Sequence, residues 1–98
     1  PTAVFTANDQ LALGLMRAFA EAGVRVPADV SVVGFDDVDG SAHFYPPLTT
    51  VRVPHASIGV EAAQILLRWL TVGPPGPSVV TLPVELVVRG STAPPRGR

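Results

Sequence analysis

The stretch VSVVGFDDVDGSAHFYPPLTTVRV, residues 30–53, decides how this chain folds. It opens on an apolar run (Val30, Val32, Val33) that stops at Gly34, and behind it come Phe35 and the adjacent carboxylates Asp36 and Asp37. A buried strand that delivers acid groups at its carboxyl end is where open α/β sheets hold their ligands. A polar, turn-rich loop with Pro46 and Pro47 follows, and then a second β-prone run over residues 49–53. The reading is an α/β sheet with a polar site at a strand end.

Towards the amino terminus, residues 3–7 read as a short strand without polar alternation, as in a parallel sheet covered on both faces. Helix-start signals come next: Asn8 is a good cap, and Asp9 puts a negative charge in the first turn. The helix is expected to run to about residue 22 and to stop at Gly23. Leu11, Leu15, Phe19 and Ala22 make one apolar stripe on it, and Ala12, Leu13, Met16 and Ala20 make a second. A helix that is apolar nearly all round is buried on two sides, so one stripe is assigned to the sheet and the other to a partner chain. Strand, helix and strand within about thirty residues form a βαβ unit, whose crossover is right-handed.

Towards the carboxyl terminus, Pro54 breaks the second run and suits the start of a helix over residues 55–72. Its stripe is Ile58, Ala62, Ile65 and Trp69, with Ala63, Leu66 and Leu70 alongside, while Glu61, Gln64 and Arg68 face water. Gly73 ends the helix and Pro74-Pro75-Gly76-Pro77 is a stiff linker. Residues 78–89 are β-rich, and Pro83 splits them into strands at 79–82 and 84–88. Residues 93–98 form a Pro- and Arg-rich tail, expected to be disordered.

Composition bounds the function. The chain has 98 residues, one domain's worth, and its 47% apolar and 15% charged content is that of a globular protein. A net charge of −1 carries no basic footprint for nucleic acid. With no Cys there is neither a disulfide framework nor a thiol zinc site. No apolar run approaches the roughly 20 residues that span a bilayer. The chain opens on Pro1 rather than Met, which suggests a piece of a longer polypeptide.

Several chemistries fail on spacing. A calcium loop set so that Gly40 is its required glycine would put Phe35 and Pro46 in its first and last ligand positions. The acids lack a nucleophile elbow or phosphate loop that would make them a catalytic pair. His43 and His55 are isolated, and Ser41 and Ser57 have no catalytic signature, so neither a metal, a cofactor nor an enzyme is expected. Two readings stay open. Asp36 and Asp37 cap turns after the strand, or a carboxylate there accepts hydrogen bonds from neighbouring hydroxyls of a sugar-like ligand. Asn8 follows the first strand as Asp36 follows the second, so in a parallel sheet both could converge on one ligand. The alternative for Asn8 is plain helix capping.

The segments TANDQLALGLMRAFAEAGVRVPADVSVVGFDD, YPPLTTVRVP and LPVELVVRGST resemble the carboxyl-terminal part of the lactose/galactose repressor (LacI/GalR) family of bacterial transcription regulators. The likeness covers residues 1–92, in the right order and spacing. It implies a fragment of a periplasmic-binding-protein-like (type I) fold, with two α/β lobes joined by crossing strands and an effector in the cleft between them. Residues 1–48 and 84–92 would belong to the second lobe and 49–82 to the first. The resemblance implies a sugar or sugar-like effector held by Asn8 and Asp36, with Phe35 and His55 beside it. His55 falls where members often carry an aromatic residue. It places dimer contacts at Leu13, Met16, Arg17 and Phe44. Operator DNA would be bound by a cytoplasmic homodimer or higher oligomer, only through an amino-terminal helix-turn-helix domain outside these residues, and no membrane is involved. The alternative is the solute-binding protein of a sugar transport system, which shares the fold, but the VSVVGFDD pattern favours the repressor. Bare apolar strand edges in such a fragment are expected to pair with another chain.

Overall fold

The computed structural model describes residues 1–97; Arg98, the end of the expected tail, lies outside them. In order, the elements are β1 (Ala3–Phe5), α1 (Asp9–Glu21), β2 (Ser31–Val33), a 3-10 turn (Ser41–His43), β3 (Thr50–Arg52), α2 (His55–Val72) and β4 (Glu85–Val87). Among the described residues, 1–53 and 85–97 gather into one compact unit, and 54–84 into another.

In the first unit, β1 and β2 are parallel, in register from Ala3↔Ser31 to Phe5↔Val33, and α1 is the crossover between them. The core joins Ala12 and Met16 of α1 to Val32 and Leu48, with Leu15, Phe19, Val26 and Phe44 packed around them. The sheet therefore takes residues from both apolar stripes of the helix rather than one. At about 100° per residue, positions 9, 12, 15, 16 and 19 share one face, whereas 11 and 13 fall on its two flanks. Leu11 and Leu13 accordingly remain exposed.

The second side of β2 has two successive neighbours. Towards its start, Val32 N–H donates to the Ser91 carbonyl at 2.9 Å. Beyond its end, Gly34 N–H donates to the Thr49 carbonyl and Asp36 N–H to the Val51 carbonyl, each at 2.9 Å. Fully buried Ser91 joins the two neighbours: its hydroxyl donates to the Val32 carbonyl at 2.6 Å and accepts from Thr49 N–H at 2.8 Å. β3 then pairs antiparallel with β4, from Thr50↔Val87 to Arg52↔Glu85. After β4 the chain stays attached: Ala93 N–H donates to the Ser31 hydroxyl at 3.0 Å, and the Arg96 guanidinium lies 3.6 Å from Asp29.

Two expectations about strands need correcting. β1 is expected to be covered on both faces, yet Phe5 is 66% exposed and Ala3, on the same face, is exposed too, while Val4 on the opposite face is half-buried, so only one face of β1 is packed. Residues 79–82 form no strand, and Val79 is 91% exposed; an extended segment without a ladder partner cannot satisfy its backbone as a strand does. In the second unit, α2 occupies the expected residues 55–72, but its stripe covers little there and none of its residues is buried. Among the described residues no helix is long and apolar enough to cross a membrane.

Gly34 is required by a close approach. A Cβ on it would overlap Asp9 Oδ1 and stand 2.9 Å from Leu48 Cδ2. Gly34→Ala should destabilise the protein by about 2–3 kcal/mol, because neither the buried carboxylate nor the core leucine can give way. Gly14→Ala meets nothing within 4 Å in the middle of α1 and should stabilise by about 0.5–1 kcal/mol. Urea unfolding of the two variants should therefore move the midpoint in opposite directions.

Candidate functional site

The carboxyl ends of β1 and β2 are held side by side past the strands themselves. Thr6 N–H donates to the Val33 carbonyl at 2.8 Å and Asp9 N–H to the Phe35 carbonyl at 3.1 Å. Asn8 and Asp36 thus emerge at one rim, as the parallel reading requires, with Phe35 between β2 and Asp36. Asn8 caps α1: its Oδ1 accepts from Leu11 N–H at 2.8 Å. Capping uses the carbonyl oxygen alone, and the Nδ2 group donates to no protein group among the described residues. Both readings of Asn8 are therefore compatible on one side chain.

Asp9, named only as a first-turn charge, is fully buried beneath the rim. Its Oδ1 accepts from the Thr50 hydroxyl at 2.6 Å and its Oδ2 from Val38 N–H at 2.8 Å. One carboxylate thereby ties the start of α1 to β3 and to the loop after Asp37. A buried carboxylate stripped of such donors would cost several kcal/mol, so these bonds fix the loop firmly.

The two acids after Phe35 differ in environment. Both have positive φ, 122° at Asp36 and 59° at Asp37, a region that costs a non-glycine residue of order 1–3 kcal/mol. Asp37 Oδ1 accepts from Ser41 Oγ at 2.7 Å and from Arg89 Nη2 at 2.8 Å, while its Oδ2 accepts from Arg52 Nε at 2.7 Å. Sequence reading assigned Asp37 only a turn-capping role, which the Ser41 bond fits; Arg52 and Arg89 were missed. The sole local signal was a doublet of acids followed by arginines on later β-prone segments.

His55 opens α2 in the second unit and is exposed. Of the residues proposed for dimer contacts, Leu13 and Arg17 lie on the surface, whereas Met16 is 6% exposed within the core and Phe44 packs against it. Among the described residues no group of three His, Cys, Asp or Glu side chains is placed to hold a metal. A hollow of about 420 Å³ lies in the second unit beside Trp69, Val72 and Val80. Smaller ones of about 350 and 230 Å³ in the first unit are lined by Val4, Phe19 and Arg96, and by Met16, Tyr45 and Pro46. Neither Asn8 nor Asp36 lines any of the three.

Residues 1–92 match the family model of the periplasmic binding protein-like domain. The lactose operon repressor of Escherichia coli (strain K12) is 46% identical over 95 residues, 97% of this chain and 26% of the repressor. The crystal structure of the lac repressor dimer bound to operator and an anti-inducer superposes with a TM-score of 0.85 at 47% identity, over 94% of this chain and 32% of that one. A LacI family regulator from Enterococcus faecalis V583 with bound ribose gives 0.89 at 40% identity, over 96% and 35%. The chain belongs to the periplasmic binding protein-like domain family, in its lactose/galactose repressor branch. It spans about a quarter to a third of the length of the branch members it matches. The α/β fold expected of this branch is the one observed.

The Asp37 cluster gives this repressor-branch domain an acid-sensitive joint. Burial pushes the Asp37 carboxyl up, but the hydrogen bonds from Ser41, Arg52 and Arg89 and the Arg89 charge outweigh it and hold its pKa down at about 2. Asp29 is likewise held at about 2, by hydrogen bonds from the Arg25 side chain and backbone. A depressed folded-state pKa contributes stability that is fully present above the ordinary value of 3.8 and is lost as pH falls through about 2. The unfolding midpoint should therefore decline from pH 4 towards pH 2, and Asp37→Asn should flatten part of that decline in a urea titration.

Proposed function

We propose that this chain is the effector-sensing and dimerisation portion of a DNA-binding transcription repressor whose effector is a sugar or sugar-like small molecule. The observation that carries the reading is the common rim on which Asn8 and Asp36 follow parallel strands, with Asn8 retaining an unused amide donor. A carboxylate accepts from two adjacent hydroxyls and an amide donates to a third oxygen, which together suit a polyhydroxylated ligand. The ribose-bound and operator-bound relatives support the same assignment by likeness. Phe35 supplies an apolar neighbour for a sugar ring, and His55 lies where branch members carry an aromatic residue.

In this reading residues 1–48 and 84–92 come from the second lobe and 49–82 from the first; residues 49–53, on the first-lobe side of that division, pack with the first compact unit. Operator binding resides in an amino-terminal domain outside these residues, the protein is cytoplasmic, and the chain performs no catalysis. Leu13 and Arg17 form the outer layer of the dimer contact, while Met16 and Phe44 support it from beneath.

In the full-length protein, Asp36→Asn should weaken binding of the best sugar in a calorimetric panel by about tenfold or more while operator affinity is retained. Unchanged induction in that variant would remove Asp36 from the site. Leu13→Asp should shift the dimer towards monomer in light scattering at micromolar concentration; an unmoved mass would place the dimer contact elsewhere.

A further inference from the structure

Asp37 is the carboxylate that the effector reading leaves unused, and its two oxygens take three side-chain hydrogen bonds. The turn carrying Asp36 has two consecutive non-glycine residues at positive φ. Such a backbone persists only where neighbouring groups over-determine it. Here the determining contacts come from three separate segments: Arg52 at the end of β3, Arg89 just after β4, and Ser41 at the start of the 3-10 turn. Arg89 is fixed in its turn, because its Nη1 donates to Ser41 Oγ at 3.0 Å and to the Leu48 carbonyl at 2.9 Å. The Arg89 and Asp37 side chains are 15% and 11% exposed, so this pair is far better shielded than the chain's helix-surface pair of Arg17 and Glu21. Charge-assisted bonds of this kind, made by a rigid planar donor, fix direction as well as distance.

Resting on the effector reading above, we propose that Asp37 is a positioning residue: the clamp of Arg52, Arg89 and Ser41 on its carboxylate holds the left-handed turn that presents Asp36 to the effector. The neighbouring acid thus recognises the ligand, and Asp37 recognises the fold. A built-in control exists in the connection after α1. There Arg25 grips Asp29 with side-chain contacts of 2.8 and 3.0 Å and a backbone contact of 2.8 Å, in a segment where Asp29 lies well before the rim and has no positive φ.

The test uses the full-length protein, with residue-resolved hydrogen exchange and calorimetric titration of D-ribose, D-galactose and cellobiose. Asp37→Asn and Arg89→Gln should each speed exchange of the Asp36 amide, which is bonded to Val51, by about tenfold while the Val32 amide, bonded to Ser91, is unchanged. The same two variants should raise the Kd of the bound sugar by about tenfold. Asp29→Asn should do neither, although it also removes a well-made ion pair. Equal behaviour of Asp37→Asn and Asp29→Asn would reduce the cluster to general stabilisation and overturn the proposal. So would lost protection at Asp36 with an unaltered Kd. Should the wild type bind none of the three sugars, the sugar reading falls by itself and the exchange arm alone decides: retained protection overturns the clamp, and lost protection upholds it.

Discussion

The first unit depends on one fully buried carboxylate. Asp9 begins α1, yet its two oxygens are committed to Thr50 on β3 and to Val38 in the loop beyond β2. A charge cannot sit in an interior unless directed donors replace its water, so the helix start, the β3 strand and the post-strand loop must assemble together. Gly34 completes the arrangement by leaving the space that the Asp9 carboxylate occupies. The rim bearing Asn8 and Asp36 is the outer surface of this joint, and its shape is inherited from what is buried below.

Much of this architecture could be read from local chemistry. The Asn8 cap, the stop near Gly23 and the full extent of α2 follow from capping preference, left-handed glycine and proline at a helix start. The parallel pairing of β1 and β2 follows from two unalternating apolar runs joined by a helix. These signals act over a few residues, which is why periodicity and punctuation report them.

What escaped the sequence acts over distance. Arg52 and Arg89 reach Asp37 across 15 and 52 positions, and Ser91 reaches Val32 across 59. No local pattern ties an arginine on one segment to an acid on another. The helix faces failed for a related reason: with nearly every position apolar, composition could not say which row meets the sheet, and the buried row proved to be the one that also carries Asp9. Met16, on the row of Asp9, lies inward, while Leu13 stays outside. Residues 79–82 show the converse, since high β propensity yields no strand without a neighbour to bond.

Ser91 carries a consequence for the order in which the chain matures. Its carbonyl and hydroxyl fill the start of the second side of β2, at Val32, where nothing earlier in the sequence bonds, and the hydroxyl also holds Thr49 in line. A ribosome that has released only the first half of these residues has therefore delivered a helix and two strands with a seam still open. Closure waits for a residue translated nearly sixty positions after its partner, and until then the nascent sheet exposes hydrogen-bonding edges to whatever else is nearby.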